Sequence, residues 1–211
     1  MRWAGILFSS IVLWGAMVGG ANAPEVSVAP IVAADIRVER SAVVTQKKTP
    51  DHVTERAVAA IIRHNPRLSE GEAYELWAKV RRIVERFRSD PVYSSGSAGE
   101  ITPQLVLSMI LVESSAVAKA KSSHGAIGLT QVMPVHHVRS LYSAGMLDTP
   151  RPDELWDEEK NIRAGTYILM CYAKSSGTIL EALARYNGGR RVRAGMPYAR
   201  KVLRRYSRIF G

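Results

Sequence analysis

From residue 51 onward apolar residues recur at helical spacing, and polar or capped breaks divide them into a series of predicted helices. Val53, Ala57 and Ile61 trace a first helix that opens at Asp51 and ends before Asn65-Pro66. Ser69 and Glu72 have capping-box spacing, and Leu76, Trp77, Val80, Ile83, Val84 and Phe87 then line one face of a second. The stretch "SDPVYSSGSAGE", residues 89–100, is rich in Gly and Ser and reads as a mobile surface loop. Thr102 as N-cap and Pro103 at the first helical position open a third helix. Its residues Leu105, Val106, Leu107, Met109, Ile110, Leu111 and Val112 are apolar around most of the circumference, as in a helix buried on nearly all sides. Glu113 closes that run. The chain then turns polar and glycine-bearing through Gly125 and Gly128, which predicts an irregular loop or short hairpin, and Pro134 permits a new helix.

A further helix follows "LWDEEKN", with Ile162, Leu169 and Ala173 inward and Gly177 as its C-terminal cap. Thr178 and Glu181 repeat the capping-box pattern and open the short helix "ILEALARY", which runs into Asn187-Gly188-Gly189. The last helix starts at Pro197 and buries Val202, Leu203, Tyr206 and Phe210. No internal repeat is visible and strand signals are scarce, so the expected fold is predominantly α.

Composition narrows the picture. The chain has 211 residues, 46% hydrophobic and 23% charged, enough for one main domain with a small accessory region. Its first residues join a positive start at Arg2 to an apolar stretch and then to small residues, the pattern of an export signal, with a retained signal anchor as the alternative. Pro24 would hinder cleavage after Ala23, so cutting after Ala21, or near Ala33 and Ala34, fits as well. The expected organisation is a signal or anchor over 1–23, a linker over 24–50, accessory packing helices over 51–90 and a catalytic domain over 91–211. Cys171 is the only cysteine, so no disulfide forms within the chain, and it reads as a small buried hydrophobe. A net charge of +10 favours an anionic partner.

Among candidate chemistries, zinc is disfavoured. His136 and His137 are adjacent and cannot share a helix face, and neither HExxH nor CxxC spacing occurs. No GxSxG elbow supports a serine hydrolase, and the GAIG segment lacks the Lys-Ser or Lys-Thr of a phosphate loop. Glu113 remains. The negative end of the helix dipole and desolvation both raise its pKa, and a carboxyl group protonated near neutrality can act as a general acid. On the residues alone, a solvated or salt-bridged helix end is still the commoner role for such a group.

The stretch "ESSAVAKAKSSHGAIGLTQVMP" resembles the signature of the soluble lytic transglycosylase family, which has a lysozyme-like fold. The matching positions are Glu113, Ser114, Ala120, Ser122, Gly125, Ala126, Gly128, Leu129, Gln131, Met133 and Pro134. The later "LARYNGG" is similar to the family's Ala-x-Tyr-Asn-x-Gly segment at Ala184, Tyr186, Asn187 and Gly189, and "NIRAGTYIL" to an intervening helix, with Tyr167 one place early. Two separated motifs in the right order make the resemblance specific, and it covers roughly residues 95–205. Departures are Ala116 where the family has an aromatic residue, Ala118 where it has proline, and Ala194-Gly195 where a Glu-Thr pair precedes the terminal tyrosine, here Tyr198.

The resemblance implies a predominantly α-helical lysozyme-like fold with at most a small hairpin. It implies Glu113 as the single catalytic group of a peptidoglycan lytic transglycosylase, with Ser114, Ser122, Gln131, Met133, Tyr186 and Asn187 at the substrate and Gly125, Gly128, Pro134 and Gly189 as structural motif positions. No acidic residue stands in either signature besides Glu113, which agrees with a substrate-assisted reaction. No metal or cofactor is expected. The expected partner is the peptidoglycan glycan strand, with an envelope-spanning secretion or conjugation complex as a second; no nucleic acid is expected, and the chain is expected to be a monomer exported to the periplasm or cell envelope. A lysozyme-type hydrolase and a glycan-binding assembly factor are the competing readings.

Overall fold

The computed structural model describes residues 51–211, so the leader and the linker expected over 1–23 and 24–50 lie outside the described residues. Helix α1, His52–His64, opens where expected: the Asp51 carboxylate accepts from the Thr54 backbone N–H at 2.7 Å. Helix α2, Glu70–Arg88, carries a complete capping box, with Ser69 accepting from the Glu72 N–H at 3.3 Å and Glu72 accepting from the Ser69 N–H at 2.8 Å. The two pack through Ala57, Ile61, Trp77 and Val80, and the Trp77 indole donates to Thr54 at 3.0 Å.

The Gly/Ser segment is not a mobile surface loop along its whole length. Residues Gly96–Glu100 form a 3-10 turn in which Ala98 is fully buried and the Ser97 hydroxyl lies within hydrogen-bond reach of the Ala173 and Ser176 carbonyls. Small residues let this turn sit against the end of a helix, a close fit that composition alone reads as looseness. Tyr93 adds edge-on contacts with Phe87 and Tyr167.

Helix α3, Pro103–Glu113, is the central element. Leu107, Met109 and Ile110 are wholly buried, and α1, α2 and the C-terminal helix pack on it. Helix α4, Pro134–Ser143, begins at Pro134, and α5, Glu158–Lys174, is capped by Asp157, which accepts from the Lys160 N–H at 2.8 Å. Ser175, not Gly177, is the C-cap of α5. Gly177 instead precedes the next N-cap and donates its N–H to Glu181 at 3.3 Å. Helix α6, Ile179–Gly188, therefore has only half of the expected capping box: Thr178 accepts from the Glu181 N–H, while the Glu181 carboxylate turns to Gly177 and Arg185. Cys171 is exposed, not buried, because it falls on the outward stripe of α5 with Arg163, Tyr167 and Lys174.

The last helix, α7, spans Val192–Phe210 and starts five residues before Pro197. Proline removes one ladder hydrogen bond but does not stop the helix here. Helices α6 and α7 pack extensively because Gly195 has no side chain: a Cβ there would collide with the Ala184 carbonyl group, lying 2.7 Å from its carbon. Gly188 meets the Gly195 backbone in the same contact. Among the described residues there are seven α-helices and no strand; Lys121–Ile127 and Ile127–Val132 form isolated antiparallel bridges. The chain is thus predominantly α with less than a hairpin, as expected.

Gly195→Ala should lower unfolding stability by about 2–3 kcal/mol, since backbone must separate to admit the methyl group. Gly71→Ala, in α2 with nothing within 4 Å, should raise it by roughly 0.5 kcal/mol. Urea denaturation of both variants measures the contrast; equal effects would contradict the close α6–α7 contact.

Candidate active site

Glu113 is the last residue of α3, and the backbone turns sharply after it. Ser114 caps the helix and its buried hydroxyl donates to the Ile110 carbonyl at 3.2 Å. Ser115 and Ala116 then take left-handed conformations, φ 53° and 61°, which disfavour residues with a Cβ. One long-range bond holds that turn: Asn65, the C-cap of α1, donates its side-chain N–H to the Ala116 carbonyl at 3.0 Å.

The following loop is stapled by its own backbone. Gly128 N–H donates to the Ala120 carbonyl at 2.8 Å, and Ile127 and Val132 exchange bonds of 2.9 and 3.1 Å. Ser122 accepts from the Ala126 N–H at 3.0 Å, with Gly125 in the left-handed turn between them. The Gln131 side-chain amide donates to the Gly128 carbonyl at 2.9 Å and reaches Ala120 at 3.3 Å, leaving its carbonyl oxygen without a hydrogen-bond partner among the described residues. Gln131 itself has φ 49°.

Asn161 of α5 locks the loop to the helical core. Its N–H group donates to the Ile127 and Leu155 carbonyls at 2.9 Å, and its oxygen accepts from the Thr130 N–H at 2.9 Å. Two glycines make the approach possible. A Cβ on Gly128 would stand 2.6 Å from the Asn161 side-chain carbon, and one on Gly165 would stand 2.5 Å from Thr130 Cβ. Thr130 passes the constraint onward, because its carbonyl accepts from the Tyr186 hydroxyl at 2.7 Å.

Electrostatics single out Glu113. Burial raises its pKa to about 7, against smaller opposing effects of the Tyr198 hydroxyl and the Lys201 charge. No cation lies within salt-bridge distance of it among the described residues. The hydroxyls of Tyr186 and Tyr198 are pushed well above their usual value, first by burial and then by the Glu113 charge. Tyr198 faces the carboxyl group without reaching full hydrogen-bond geometry, and its buried hydroxyl has no other partner among the described residues. The remaining shifted carboxyl groups, Asp51, Glu72, Glu154 and Glu181, are all held low by hydrogen bonds or cations. No three His, Cys, Asp or Glu side chains converge as metal ligands would among the described residues.

The structure therefore couples Glu113 to Tyr186 and, beyond expectation, to Tyr198. Ser122 and Gln131 share the loop that Thr130 anchors, and Met133 sits half-buried just before Pro134 opens α4. Asn187 is exposed beside Tyr186, and Gly189, φ 56°, caps α6. No hydrogen bond joins Ser122, Gln131 or Asn187 to Glu113 among the described residues. Thr130, Asn161 and Asn65 are positioning groups that sequence reading did not place; the "NIRAGTYIL" match carried the signal for Asn161 and Gly165.

Residues 91–199 match the family model described as the Transglycosylase SLT domain. The chain is also similar to solved structures. One is a complex of the 70-kDa soluble lytic transglycosylase with bulgecin A, at 22% identity and a TM-score of 0.46, covering 73% of this chain and 26% of that one. Another is the 70 kDa soluble lytic transglycosylase from Escherichia coli, at 25% identity and a TM-score of 0.41, covering 76% and 26%. The chain thus spans about a quarter of the length of those proteins.

Because the folded state raises the Glu113 pKa from 4.5 to about 7, folding takes up a proton in that interval. The stability this contributes is full below pH 4.5 and is lost as pH rises through about 7. Glu113→Gln should therefore gain stability over the parent between pH 4.5 and 8, on the order of 1–3 kcal/mol. Urea melts of both proteins at the two pH values provide the measurement; a difference independent of pH would contradict a desolvated carboxyl group.

Proposed function

Since the chain belongs to the Transglycosylase SLT domain family, we propose that it is a peptidoglycan lytic transglycosylase in which Glu113 is the single catalytic carboxyl group. The observation that carries this reading is the desolvated Glu113, protonated near neutrality and lacking any ion-pair partner among the described residues. Such a group can donate a proton and, once ionised in a site that disfavours its charge, readily take one back.

In the proposed reaction Glu113 protonates the oxygen between N-acetylmuramic acid and N-acetylglucosamine as the bond from that oxygen to muramyl C1 breaks. The carboxylate then accepts the proton of the muramyl 6-hydroxyl, whose oxygen closes on C1 to give a 1,6-anhydro end. The proton lost in the first step is recovered in the second. The substrate N-acetyl group stabilises the positive charge at C1, with Ser122 and Asn187 orienting it, while Gln131, Met133 and Tyr186 line the sugar positions. Tyr198 supplies a hydroxyl with spare hydrogen-bonding capacity beside the reacting carboxyl group. No acidic residue besides Glu113 stands in either signature segment, which supports a route through the substrate's own groups over a two-carboxylate hydrolysis.

The proposal puts the working chain at the cell envelope. The leader lies outside the described residues, and no described helix is long and apolar enough to cross a membrane. Cell fractionation should recover the protein outside the cytoplasm; wholly cytoplasmic protein that retains Met1 would contradict export.

Digestion of purified peptidoglycan followed by mass spectrometry should give anhydro-muropeptides, one water lighter than hydrolytic products. Exclusively reducing ends would replace this reading with hydrolysis. Glu113→Gln should fold, still bind insoluble peptidoglycan, and lose turnover by roughly a hundredfold to ten-thousandfold or more. Full turnover in that variant would remove Glu113 from the reaction.

A further inference from the structure

Helices α1 and α7 enclose a groove of about 140 Å³ lined by Arg56, Ala59, Ala60, Arg63, Arg208 and Ile209. Ala59, Ala60 and Ile209 supply its apolar lining, and the arginines are the polar side chains among the described residues that line it. Arg56 is already engaged, donating to the terminal main-chain oxygen of Gly211 at 3.0 Å. Arg63 and Arg208 have no carboxylate partner among the described residues, nor has the half-buried Arg205 beside them. No Asp or Glu lines the groove. Asp51 faces Arg81 at 3.8 Å, Glu55 faces His52 at 3.6 Å, and α7 contains no Asp or Glu.

The cations act on one another. His64, half-buried at the end of α1, is held below its usual pKa by burial and by the Arg205 and Arg63 charges. Its Nδ1 is committed to the Ala60 carbonyl at 2.7 Å. Burial and Arg208 likewise weaken the hold of Arg205 on its proton. Uncompensated like charges at close range destabilise the folded chain, and a bound anion converts that repulsion into attraction.

We propose that this α1–α7 groove is a second, non-catalytic binding site for a phosphate group, held by the groove-lining Arg63 and Arg208. Two guanidinium groups without a carboxylate partner among the described residues match the charge of a dianion better than that of a single carboxylate, and their planar forks match phosphate oxygens in pairs. The groove is too small for a glycan disaccharide. It is also displaced from the catalytic carboxyl group: Arg208 lies seven residues, about 10 Å of helix, beyond Lys201, the α7 cation that acts on Glu113. The phosphate comes from one of two sources, a soluble phosphate compound or the headgroup of an anionic lipid.

The test uses the full chain and an Arg63→Gln/Arg208→Gln double variant. Sodium pyrophosphate, compared with acetate and chloride at matched ionic strength, should raise the melting temperature of the parent by about 5 °C at saturation and that of the variant by much less. The ring-proton titration of His64, followed by NMR, should move to higher pH with pyrophosphate bound. In a second arm, sedimentation with phosphatidylglycerol vesicles is compared with phosphatidylcholine vesicles. A pyrophosphate response lost in the variant assigns soluble phosphate. Vesicle binding alone, lost in the variant, assigns the lipid headgroup. Without ligand the variant should melt no lower than the parent, because the substitutions relieve repulsion. An equal response to acetate, an undiminished response in the variant, or no response to either probe overturns the proposal. None of these readouts depends on turnover, so failure of the catalytic reading leaves the test intact.

Discussion

Withdrawing most of one carboxyl group from water, at the end of an apolar helix and with no ion-pair partner among the described residues, is the constraint on which the rest of this architecture depends. Burying a charge without a counter-ion is unfavourable enough that the group takes up a proton instead, which is the state reflected in a Glu113 pKa of about 7. Helix α3 creates that environment because Leu107, Met109 and Ile110 are wholly buried and set it in the core. The same burial that stabilises the core therefore disfavours the ionised form at its last residue. Structure and reactivity are two consequences of one packing arrangement.

Holding the carboxyl group there requires backbone that the chain does not adopt readily. Ser115, Ala116 and Gln131 are all non-glycine residues with positive φ, each costing on the order of 1 kcal/mol or more. The offsetting bonds come from a distance: Asn65 grips the Ala116 carbonyl, and Asn161 grips Ile127 and Thr130. The tyrosines depend on a different contact. Tyr186 belongs to α6 and Tyr198 to α7, and the direct meeting of Gly195 with Ala184 draws these helices close enough for both hydroxyls to feel the Glu113 charge. The Ala194-Gly195 pair, a departure from the family pattern, is thereby part of what brings the tyrosines together.

Most of the helical framework was legible because its signals are local. Asp51, Ser69, Thr102 and Thr178 each cap a helix within three residues of themselves, and Pro103 and Pro134 stand where a missing N–H is harmless. The errors share a cause. Pro197 marks a boundary by local rules, yet α7 already exists by Val192 because its contact with α6 outweighs one lost ladder bond. Gly177 has the composition of a cap although Ser175 ends α5, and Cys171 has the character of a buried residue although the helix turns it outward. Within the site, Glu113 announced itself as a charge closing an apolar run. Asn65 and Asn161 did not, since their partners lie 51 and 31 residues away and nothing in local spacing records such bonds.

The account stands on the protonation state of one side chain, which can be observed directly. In protein labelled with carbon-13 at glutamate carboxyl groups, with Glu113→Gln used to assign its signal, the Glu113 resonance should titrate near pH 7. A Glu113 midpoint at the ordinary value of 4.5 would show a solvated helix end and contradict the account.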